Sequence, residues 1–462
     1  MKRSLDALLE PKSVAVIGAS REPRSVGYGV LQGLLKGCVM PSKYAKRFPG
    51  KVYAVNPNAK TIQGVKCHAS VKDIAGDVDL AVICVPAKIV PPVLRECAEK
   101  RVKAAVVVSA GFAEVGDAEL QEELATIAKK GGMRLLGPNC LGVIRPSKSL
   151  NASFGLSMPR AGGAAFITQS GALADSVIDW ALEEMYPFSA IVSLGNQADV
   201  DEADLVEWFA GDGETKAIAL YLEGVKDGKK LMAAVRKAVA AGKTVLVLKG
   251  GRLSGGAKAV SSHTGALAGS YAVFEAAMRQ SGAVVTYGLA DLLGLAQAAS
   301  EQPKAGNSVV VVTNGGGAGV LCTDYCEEFG VNLVKIREAT LRKLDATKLM
   351  HPAYSRRNPL DLIGDAGAKR YEAALDVLLA DDAIKAAIVI QTLQTMTESE
   401  GDARAVLRIR KKYPKKPVIC VFMGGKYSKA AMQLLGENGV PNYDDPRKAA
   451  KAMALLVGAQ RF

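Results

Sequence analysis

One histidine in a glycine-rich segment offers the most reactive chemistry in this sequence. His263 follows four glycines between residues 250 and 256, and its imidazole can act as a nucleophile that carries a phosphoryl group. The glycines predict a mobile loop, and the hydroxyl side chains flanking the histidine can cap a helix that begins near Gly265. Most histidines in loops are solvated and inert, so a catalytic role depends on the neighbouring residues.

Two other features point to phosphoryl chemistry. Glu223 follows the predicted strand Ile218–Leu222, where its carboxylate can accept the imidazole N–H and hold one tautomer for attack on phosphorus. The turn Thr168–Ala172 opens onto a predicted helix, Leu173–Glu183, whose positive end stabilises a phosphoryl group by roughly 1 kcal/mol. Alone, each has an ordinary explanation, as a rim glutamate or as a tight strand-to-helix turn. With His263 they predict a phosphoryl-transfer site.

A second candidate site lies near the N-terminus. The predicted strand Ser13–Ile17 leads into a glycine turn at Gly18, whose backbone N–H groups and following helix can hold a diphosphate. NAD fits poorly, because the glycines at 27–33 have one residue too many for GxGxxG and lie inside the helix. The second strand also ends at Asn56, where NAD needs an acidic residue. We therefore predict a nucleotide-binding turn without the NAD carboxylate; a turn kept only for packing is the alternative.

The elements that position these residues alternate between strand and helix along the chain. This order predicts an α/β fold with doubly wound parallel sheets, in which ligands bind at the carboxyl ends of the strands. A linker at residues 301–308 precedes a further predicted strand, Val309–Val312. Its turn, Thr313–Gly317, repeats the Thr-x-(Ser/Gly)-Gly pattern found at Thr168. A duplicated flavodoxin-like unit would explain the repeat.

Composition limits the partners and the environment. The 462 residues carry a formal net charge of +13, but the basic residues form no stripe, so phosphorylated small molecules explain the charge better than nucleic acid. The eight cysteines and three histidines show no metal-ligand spacing. No apolar run reaches the roughly 20 residues of a membrane span, and no signal peptide is visible. We expect a cytoplasmic protein with no metal site, no membrane contact and no nucleic-acid partner.

Six segments resemble the NDP-forming acyl-CoA synthetases, relatives of succinyl-CoA synthetase, and they occur in that family's order. They extend over nearly the whole chain, and the resemblance is greatest to the α subunits of ADP-forming acetyl-CoA synthetases. The segments are KSVAVIGAS at 12–20, GPNCLG at 137–142, TQSGA at 168–172, YLEG at 221–224, SSHTGALAG at 261–269 and TNGGG at 313–317.

The resemblance implies three domains and a reaction. The domains are a Rossmann-like CoA-binding domain at 1–150, a ligase domain carrying the phosphohistidine loop at 151–302, and a second flavodoxin-like ligase domain at 303–462. In the family, phosphate attacks acyl-CoA, and the histidine takes the phosphoryl group from the acyl phosphate and passes it to ADP. The implied partner is a β subunit whose ATP-grasp domains bind ADP or ATP and Mg²⁺, in an α2β2 assembly.

The family's residue roles transfer onto matching positions. His263 would carry the phosphoryl group, and Glu223 would hydrogen-bond its ring. The phosphate-binding residues would be Thr168, Ser170, Gly171, Ala172 and Asn139. The coenzyme A site would be lined by Gly18, Ala19, Ser20, Asn56, Val85, Pro86, Ser109, Ala110, Gly111 and Phe112.

One segment departs from the family, and two other functional classes stay open. Residues 37–50 look longer and more basic than the family's connection, and Lys43, Lys46 or Arg47 there can contact the 3′-phosphate of CoA. A nicotinamide-dependent oxidoreductase is one alternative, although Asn56 disfavours it. A non-catalytic CoA-binding regulatory protein is the other, and it would need neither a reactive histidine nor Glu223. No motif identifies the preferred acid.

Overall fold

The computed structural model describes the backbone of residues 4–264 and 270–459, and the side chains of these residues except 261–264. The chain forms two compact units, Met1–Tyr287 and Gly288–Phe462. The first unit contains two seven-stranded sheets, and the second unit contains a four-stranded sheet. The predicted fold class, an α/β protein built on mainly parallel sheets, is confirmed.

The first sheet has the strand order β3-β4-β2-β1-β5-β6-β7 and is parallel apart from the β3–β4 hairpin. Its central strands are short Val- and Ala-rich runs buried on both faces, as expected for a parallel sheet covered by helices. The strands are β1 Ser13–Ile17, β2 Lys51–Val55, β3 Thr61–Ile62, β4 Val65–His68, β5 Leu80–Ile83, β6 Ala104–Val107 and β7 Arg134–Leu136, and the helices are α1 Asp6–Leu9, α2 Val26–Lys36, α3 Val90–Glu99 and α4 Ala118–Lys130.

The second sheet has the order β14-β13-β12-β10-β11-β8-β9. Strands β8 and β9 form a hairpin, and β8 pairs antiparallel with β11. The predicted domain boundary at residue 150 falls inside this hairpin. The strands are β8 Gly142–Arg145, β9 Leu150–Ser153, β10 Ala161–Thr168, β11 Phe188–Ser193, β12 Ala217–Leu222, β13 Thr244–Lys249 and β14 Val284–Thr286, and the helices are α5 Gly171–Glu183, α6 Glu202–Gly211, α7 Gly228–Ala240, α8 Ser254–Thr264 and α9 Tyr271–Gln280.

The second unit holds a parallel sheet of order β16-β15-β17-β18. Its first helix, α10, packs against its last, α16, and a bond from the Tyr443 hydroxyl to the Gly294 carbonyl (2.7 Å) helps to fix α10. The strands are β15 Val309–Thr313, β16 Leu360–Asp361, β17 Ala386–Gln391 and β18 Val418–Phe422, and the helices are α10 Leu289–Glu301, α11 Gly316–Glu328, α12 Glu338–Ala346, α13 Ala368–Ala380, α14 Ser399–Lys412, α15 Lys429–Glu437 and α16 Pro446–Leu456.

Candidate active site

The carboxyl edge of the first sheet contains the glycine turn predicted to bind coenzyme A. Gly18 has a φ of +86°, and a Cβ there would lie 2.7 Å from the Cys84 carbonyl oxygen, so the turn requires glycine. Gly27, on α2, lies so close that a Cβ would be 2.0 Å from the Gly18 carbonyl oxygen. The Asn56 side chain donates to the Ala19 carbonyl at 2.8 Å. The absence of a side chain at Gly27 therefore lets α2 pack closely against the turn. Asn56 stabilises the turn by its hydrogen bond, at the position where an NAD enzyme has a carboxylate.

The loop after β6 reaches the same edge, because β1, β5 and β6 are neighbouring parallel strands. The Ser109 hydroxyl donates to the Val85 carbonyl at 2.5 Å, while Pro86 and Ala110 are exposed beside it. The ring of Phe112 is fully buried, so it packs in the core and supports the loop.

Glu114, which also lies in this loop, was not predicted to have a role. Its carboxylate accepts the backbone N–H groups of Gly111 (2.5 Å) and Phe112 (3.2 Å). Burial by itself would raise the pKa of Glu114, but these hydrogen bonds and one from Asn196 hold it below its ordinary value. Glu114 therefore fixes the shape of the predicted CoA loop.

Asn139 joins this edge to the second sheet. The preceding Gly137–Pro138 bond is cis, and Asn139 has a φ of +59°. Its N–H donates to the Ser109 carbonyl at 2.9 Å, and its side-chain amide donates to Asn196 Oδ1 at 3.3 Å. The loop that carries Asn196 continues the bonds, since the Leu194 N–H donates to the Thr168 carbonyl at 2.8 Å. Hydrogen bonds thus connect the two edges within the first unit.

The Thr168 turn leaves a helix start open to an anion. The Thr168 hydroxyl accepts the Ser170 N–H at 3.0 Å, and the Ser170 side chain caps α5 by accepting the Leu173 N–H at 3.3 Å. The first N–H groups of a helix have no acceptor within it, and here they belong to Gly171 and Ala172. Gly171 is half-buried and Ala172 is exposed, so both N–H groups can meet a phosphate.

Glu223 lies at the adjacent strand end, as predicted, and is 6% exposed. Thr168 pairs with Tyr221 in the register of β10 and β12, which sets Glu223 beside the turn. Gln169, which the sequence analysis missed, bridges the two: its Oε1 accepts the Glu223 N–H (2.5 Å) and the Gly224 N–H (3.0 Å). Its Nε2 donates to the Gly224 carbonyl at 2.7 Å. The feature of the sequence that could have indicated this role is the position of Gln169, a polar residue between a buried strand and a glycine turn.

Two further polar residues near Glu223 were also missed. The Tyr221 hydroxyl donates to Glu223 Oε1 at 3.4 Å, and burial, followed by the Glu223 carboxylate, raises the pKa of Tyr221 to about 12. Lys249, at the end of β13, is 6% exposed, and its Nζ donates to the carbonyl oxygens of Glu223 and Gly250, both at 3.1 Å. Burial lowers the pKa of Lys249, and the Glu223 carboxylate opposes that shift. A lysine that ends an apolar strand looks solvent-exposed in sequence.

The residues directly before His263 are helical, where a loop was predicted, whereas Gly250 and Gly251 lie in a loop ahead of that helix. The mobility of the glycine-rich run stays a prediction. Helix α8 spans Ser254–Thr264 and includes the backbone of His263. Gly255 and Gly256 fall in its first turn, where glycine interrupts a helix least, and the next three residues, Ala257, Lys258 and Ala259, favour helix. The side chain of His263 and the helix expected near Gly265 lie outside the described residues.

The basic segment at 37–50 lies at the edge of the first sheet opposite the glycine turn, which counts against the expected contact with the CoA 3′-phosphate; that contact stays a prediction. Helix α2 runs back along β1, and the segment follows its end: Phe48 N–H bonds to the Leu34 carbonyl, and Lys51 pairs with Ser13 at the start of β1. An eleven-residue helix is roughly 16 Å long, which separates this segment from Gly18. The segment instead packs on the second sheet's domain, where the Ser42 hydroxyl donates to the Met158 carbonyl at 2.7 Å.

The described residues contain no group of three or more His, Cys, Asp or Glu side chains arranged to hold a metal ion. Among the helices described, none combines the length and apolar character needed to cross a bilayer.

Three protein-family models match consecutive parts of the chain. They are the CoA binding domain at residues 12–146, the succinyl-CoA ligase like flavodoxin domain at 161–299 and the Ligase-CoA domain at 309–461. Together they define a CoA-binding acid–thiol ligase of the succinyl-CoA ligase type.

Full-length relatives specify the family further. The chain is 42% identical to the acetate–CoA ligase [ADP-forming] I subunit alpha of Pyrococcus furiosus and 40% identical to the II subunit alpha of the same organism, each over 98% of this chain and 97% of the relative. The dinucleotide-forming acetyl-coenzyme A synthetase 1 of Ca. Korarchaeum cryptofilum, solved in complex with phosphate and ADP, superposes with a TM-score of 0.91 at 36% identity, over 99% of this chain and 97% of that one. The chain belongs to the family of ADP-forming acetate–CoA ligases and corresponds to their alpha subunit.

Proposed function

We propose that this chain is the α subunit of a cytoplasmic ADP-forming acetyl-CoA synthetase, which converts acyl-CoA, phosphate and ADP into the free acid, CoA and ATP. The observation that carries the proposal is the carboxyl edge of the second sheet. There, Gln169 links Glu223 to a helix start, and the first N–H groups of that helix, at Gly171 and Ala172, can bind an anion. An acid–base group beside an anion site is the equipment that phosphoryl transfer requires.

Coenzyme A binds at the carboxyl edge of the first sheet in this proposal. The tight glycine turn brings backbone close to a diphosphate, and Asn56 occupies the position of the NAD carboxylate without its charge. Pro86 and Ala110 offer exposed, uncharged surface beside the turn. Because Asn139 and Leu194 connect this edge to the Thr168 turn, the thioester end of CoA lies toward the phosphate site.

The reaction follows in three displacements. A phosphate oxygen attacks the thioester carbonyl, the C–S bond breaks and CoA leaves as a thiol, which gives an acyl phosphate. An imidazole nitrogen of His263 then attacks phosphorus, the P–O bond to the acyl group breaks and the acid is released. Finally, a terminal oxygen of ADP attacks the phosphorus, the P–N bond breaks and ATP forms. Glu223 accepts the other imidazole N–H and holds the ring's tautomer.

The nucleotide half-reaction takes place on a partner. We place ADP and Mg²⁺ on a β subunit with ATP-grasp domains, in an α2β2 assembly, because the relatives are named alpha subunits and no P-loop pattern is visible in this sequence. We expect no ATP formation from acetyl-CoA, ADP and phosphate by this chain alone, and activity once the partner is added. Activity in preparations shown to be free of partner would contradict the two-subunit arrangement.

The histidine is tested by labelling. The complete enzyme is incubated with γ-labelled ATP and Mg²⁺, and acid-labile label is measured on this chain. We expect label on wild type and on His351→Ala, a matched control in the second unit, and none on His263→Ala. The His263→Ala protein should still bind CoA, which shows that it is folded. Equal label on His263→Ala would remove the proposed carrier.

The first sheet is tested separately by calorimetric titration of this chain. CoA should bind, and NAD should not, because Asn56 cannot replace the carboxylate that recognises the NAD ribose. Tight NAD binding without CoA binding would favour an oxidoreductase instead. CoA binding with no label on wild type in the previous experiment would favour a non-catalytic CoA-binding protein.

A further inference from the structure

Lys249 is a buried charge to which the proposed chemistry assigns no role. Its Nζ meets two neutral carbonyl oxygens and lies 5.8 Å from the centre of the Phe274 ring. Burying an ammonium is costly even where a carboxylate such as that of Glu223 lies near, and an apolar residue in such a place often gives a more stable protein. The stability of the fold therefore does not explain the lysine.

In the second unit, the strand end that corresponds to the end of β13 has an uncharged residue at the position of Lys249. Lys249 on β13 pairs with Leu222, the residue before Glu223. In the second unit, Phe422 on β18 pairs with Gln391, the residue before Thr392. Phe422 is fully buried. In the second unit, where Thr392 follows and not a carboxylate, an aromatic ring occupies the position of Lys249. In these two strand ends the positive charge accompanies the carboxylate.

The contacts of Glu223 show what the lysine does. Gln169 holds the Glu223 N–H, Tyr221 bonds to its carboxylate, and Lys249 holds its carbonyl oxygen. Of these three side chains, Lys249 is the charged one, and the Glu223 carboxylate opposes the lowering of the Lys249 pKa by burial, so the two charges interact. Without it, the backbone of Glu223 loses one of its anchors and the carboxylate loses its nearby counter-charge.

We propose that Lys249 is a positioning residue for phosphoryl transfer, which fixes the end of β12 and places a buried positive charge beside the Glu223 carboxylate. It acts through Glu223 and does not itself react. This inference rests on the proposed role of Glu223 as the residue that holds the imidazole.

The experiment measures the single-turnover rate at which the complete enzyme transfers label from ATP to this chain, without CoA. Lys249→Met should lower that rate by about tenfold or more, because small displacements of a catalytic group have large effects on rate. The dissociation constant for CoA should not change. The matched control is Lys243→Met, at the other end of the same strand: Lys243 Nζ also donates to two backbone carbonyls, those of Asp212 (2.7 Å) and Thr215 (2.5 Å). It should transfer label at the wild-type rate.

A double-mutant cycle separates positioning from general stability. If Lys249 acts through Glu223, adding Lys249→Met to Glu223→Gln should lower the rate by less than about twofold further, since coupled residues are not additive. Lys249→Gln keeps an N–H donor without the charge, and it repeats the test if the methionine variant does not fold. A wild-type rate in either folded variant, or a full additional loss in the double variant, overturns the inference. A wild-type rate in Glu223→Gln alone would instead overturn the proposed function.

Discussion

Two strand-to-helix turns, one in each unit, share a hydrogen-bond pattern. Thr168 and Thr313 each accept, through the hydroxyl, the N–H two residues ahead, at 3.0 Å in both turns. In each turn the next side chain crosses to the neighbouring strand end. Gln169 binds the backbone of Glu223 and Gly224, and Asn314 binds the N–H (2.7 Å) and the carbonyl (3.0 Å) of Thr392. The two turns therefore have the same arrangement of hydrogen bonds between side chains and backbone.

The turns differ in the side chains placed around that backbone. Glu223 and Lys249 of the first turn correspond, by strand register, to Thr392 and Phe422 of the second. Ser170 caps α5, whereas Gly315 starts α11 without a side-chain cap. The same backbone pattern therefore forms with uncharged side chains at these two positions, and the charged pair in the first unit supports the phosphoryl-transfer site proposed there.

The largest effect should come from removing the charge that distinguishes the turns. Glu223→Gln keeps the shape of the side chain but loses the carboxylate that holds the imidazole, and we expect labelling of this chain from ATP to slow by about 10²-fold. Thr392→Val in the second turn should slow it by less than about fivefold, the effect of one neutral hydrogen bond. Both variants should bind CoA normally. Equal losses would show that the two turns contribute alike and that the charge is not what sets them apart.

Sequence patterns anticipated the backbone of these turns better than their side-chain partners. Strands such as β12 and β15 were predicted because short apolar runs end in turn residues, and both patterns are local. Gln169 and Lys249 were missed because their partners lie on neighbouring strands, and local sequence does not state which strands pair. For the same reason the sequence did not reveal that β8, which directly follows the first sheet in the chain, pairs with β11 of the second sheet. Helix α8 was missed because the four glycines between residues 250 and 256 indicated a loop, although Ala257, Lys258 and Ala259 that follow them favour helix.

The two turns also differ in the position of the nearby carboxylate, which belongs to Glu223 in the first unit and to Asp402 in the second. In the second unit, Asp402 lies beneath the turn, fully buried, and its Oδ2 accepts from Gln391 Nε2 at 2.5 Å. Its Oδ1 has no hydrogen-bond partner among the described residues. Burial raises the pKa of Asp402 from 3.8 to about 6; the bond from Gln391 opposes this, and the nearby Glu398 adds to it.

This shift predicts how stability depends on pH. Between about pH 4 and pH 6 the folded state holds the Asp402 proton more tightly than the unfolded state does, so the stabilisation is present at pH 4 and lost as the pH rises through 6. We expect Asp402 to contribute a decrease of about 2 kcal/mol in the free energy of unfolding over that interval. Asp402→Asn should flatten the dependence in urea unfolding at pH 4.5 and 7.5. Asp324→Asn, an exposed control on α11, should keep the wild-type slope.

The smallest effects should come from exchanging the residues that start the two helices, and they should be unequal. Ser170→Gly places at the start of α5 the residue that starts α11. Replacing a serine N-cap by glycine lowers the free energy of unfolding by only a few tenths of a kcal/mol. The reverse change, Gly315→Ser, meets a crowded position: a Cβ there would lie 2.7 Å from both Cγ2 and Oγ1 of Thr392. The Thr392 hydroxyl also bonds to Asn314 Oδ1 at 3.1 Å, so its side chain cannot move away freely.

Gly315→Ser should therefore lower the free energy of unfolding by about 1 kcal/mol or more, as overpacking does. Adding Thr392→Ala removes both crowding atoms and should restore most of the loss. Urea unfolding of the single and double variants measures these differences, with Ser170→Gly as the reference. If Gly315→Ser proves no more harmful than Ser170→Gly, or if Thr392→Ala gives no rescue, then crowding by Thr392 is not what keeps glycine at this helix start. The second turn would then differ from the first only in the groups that carry charge.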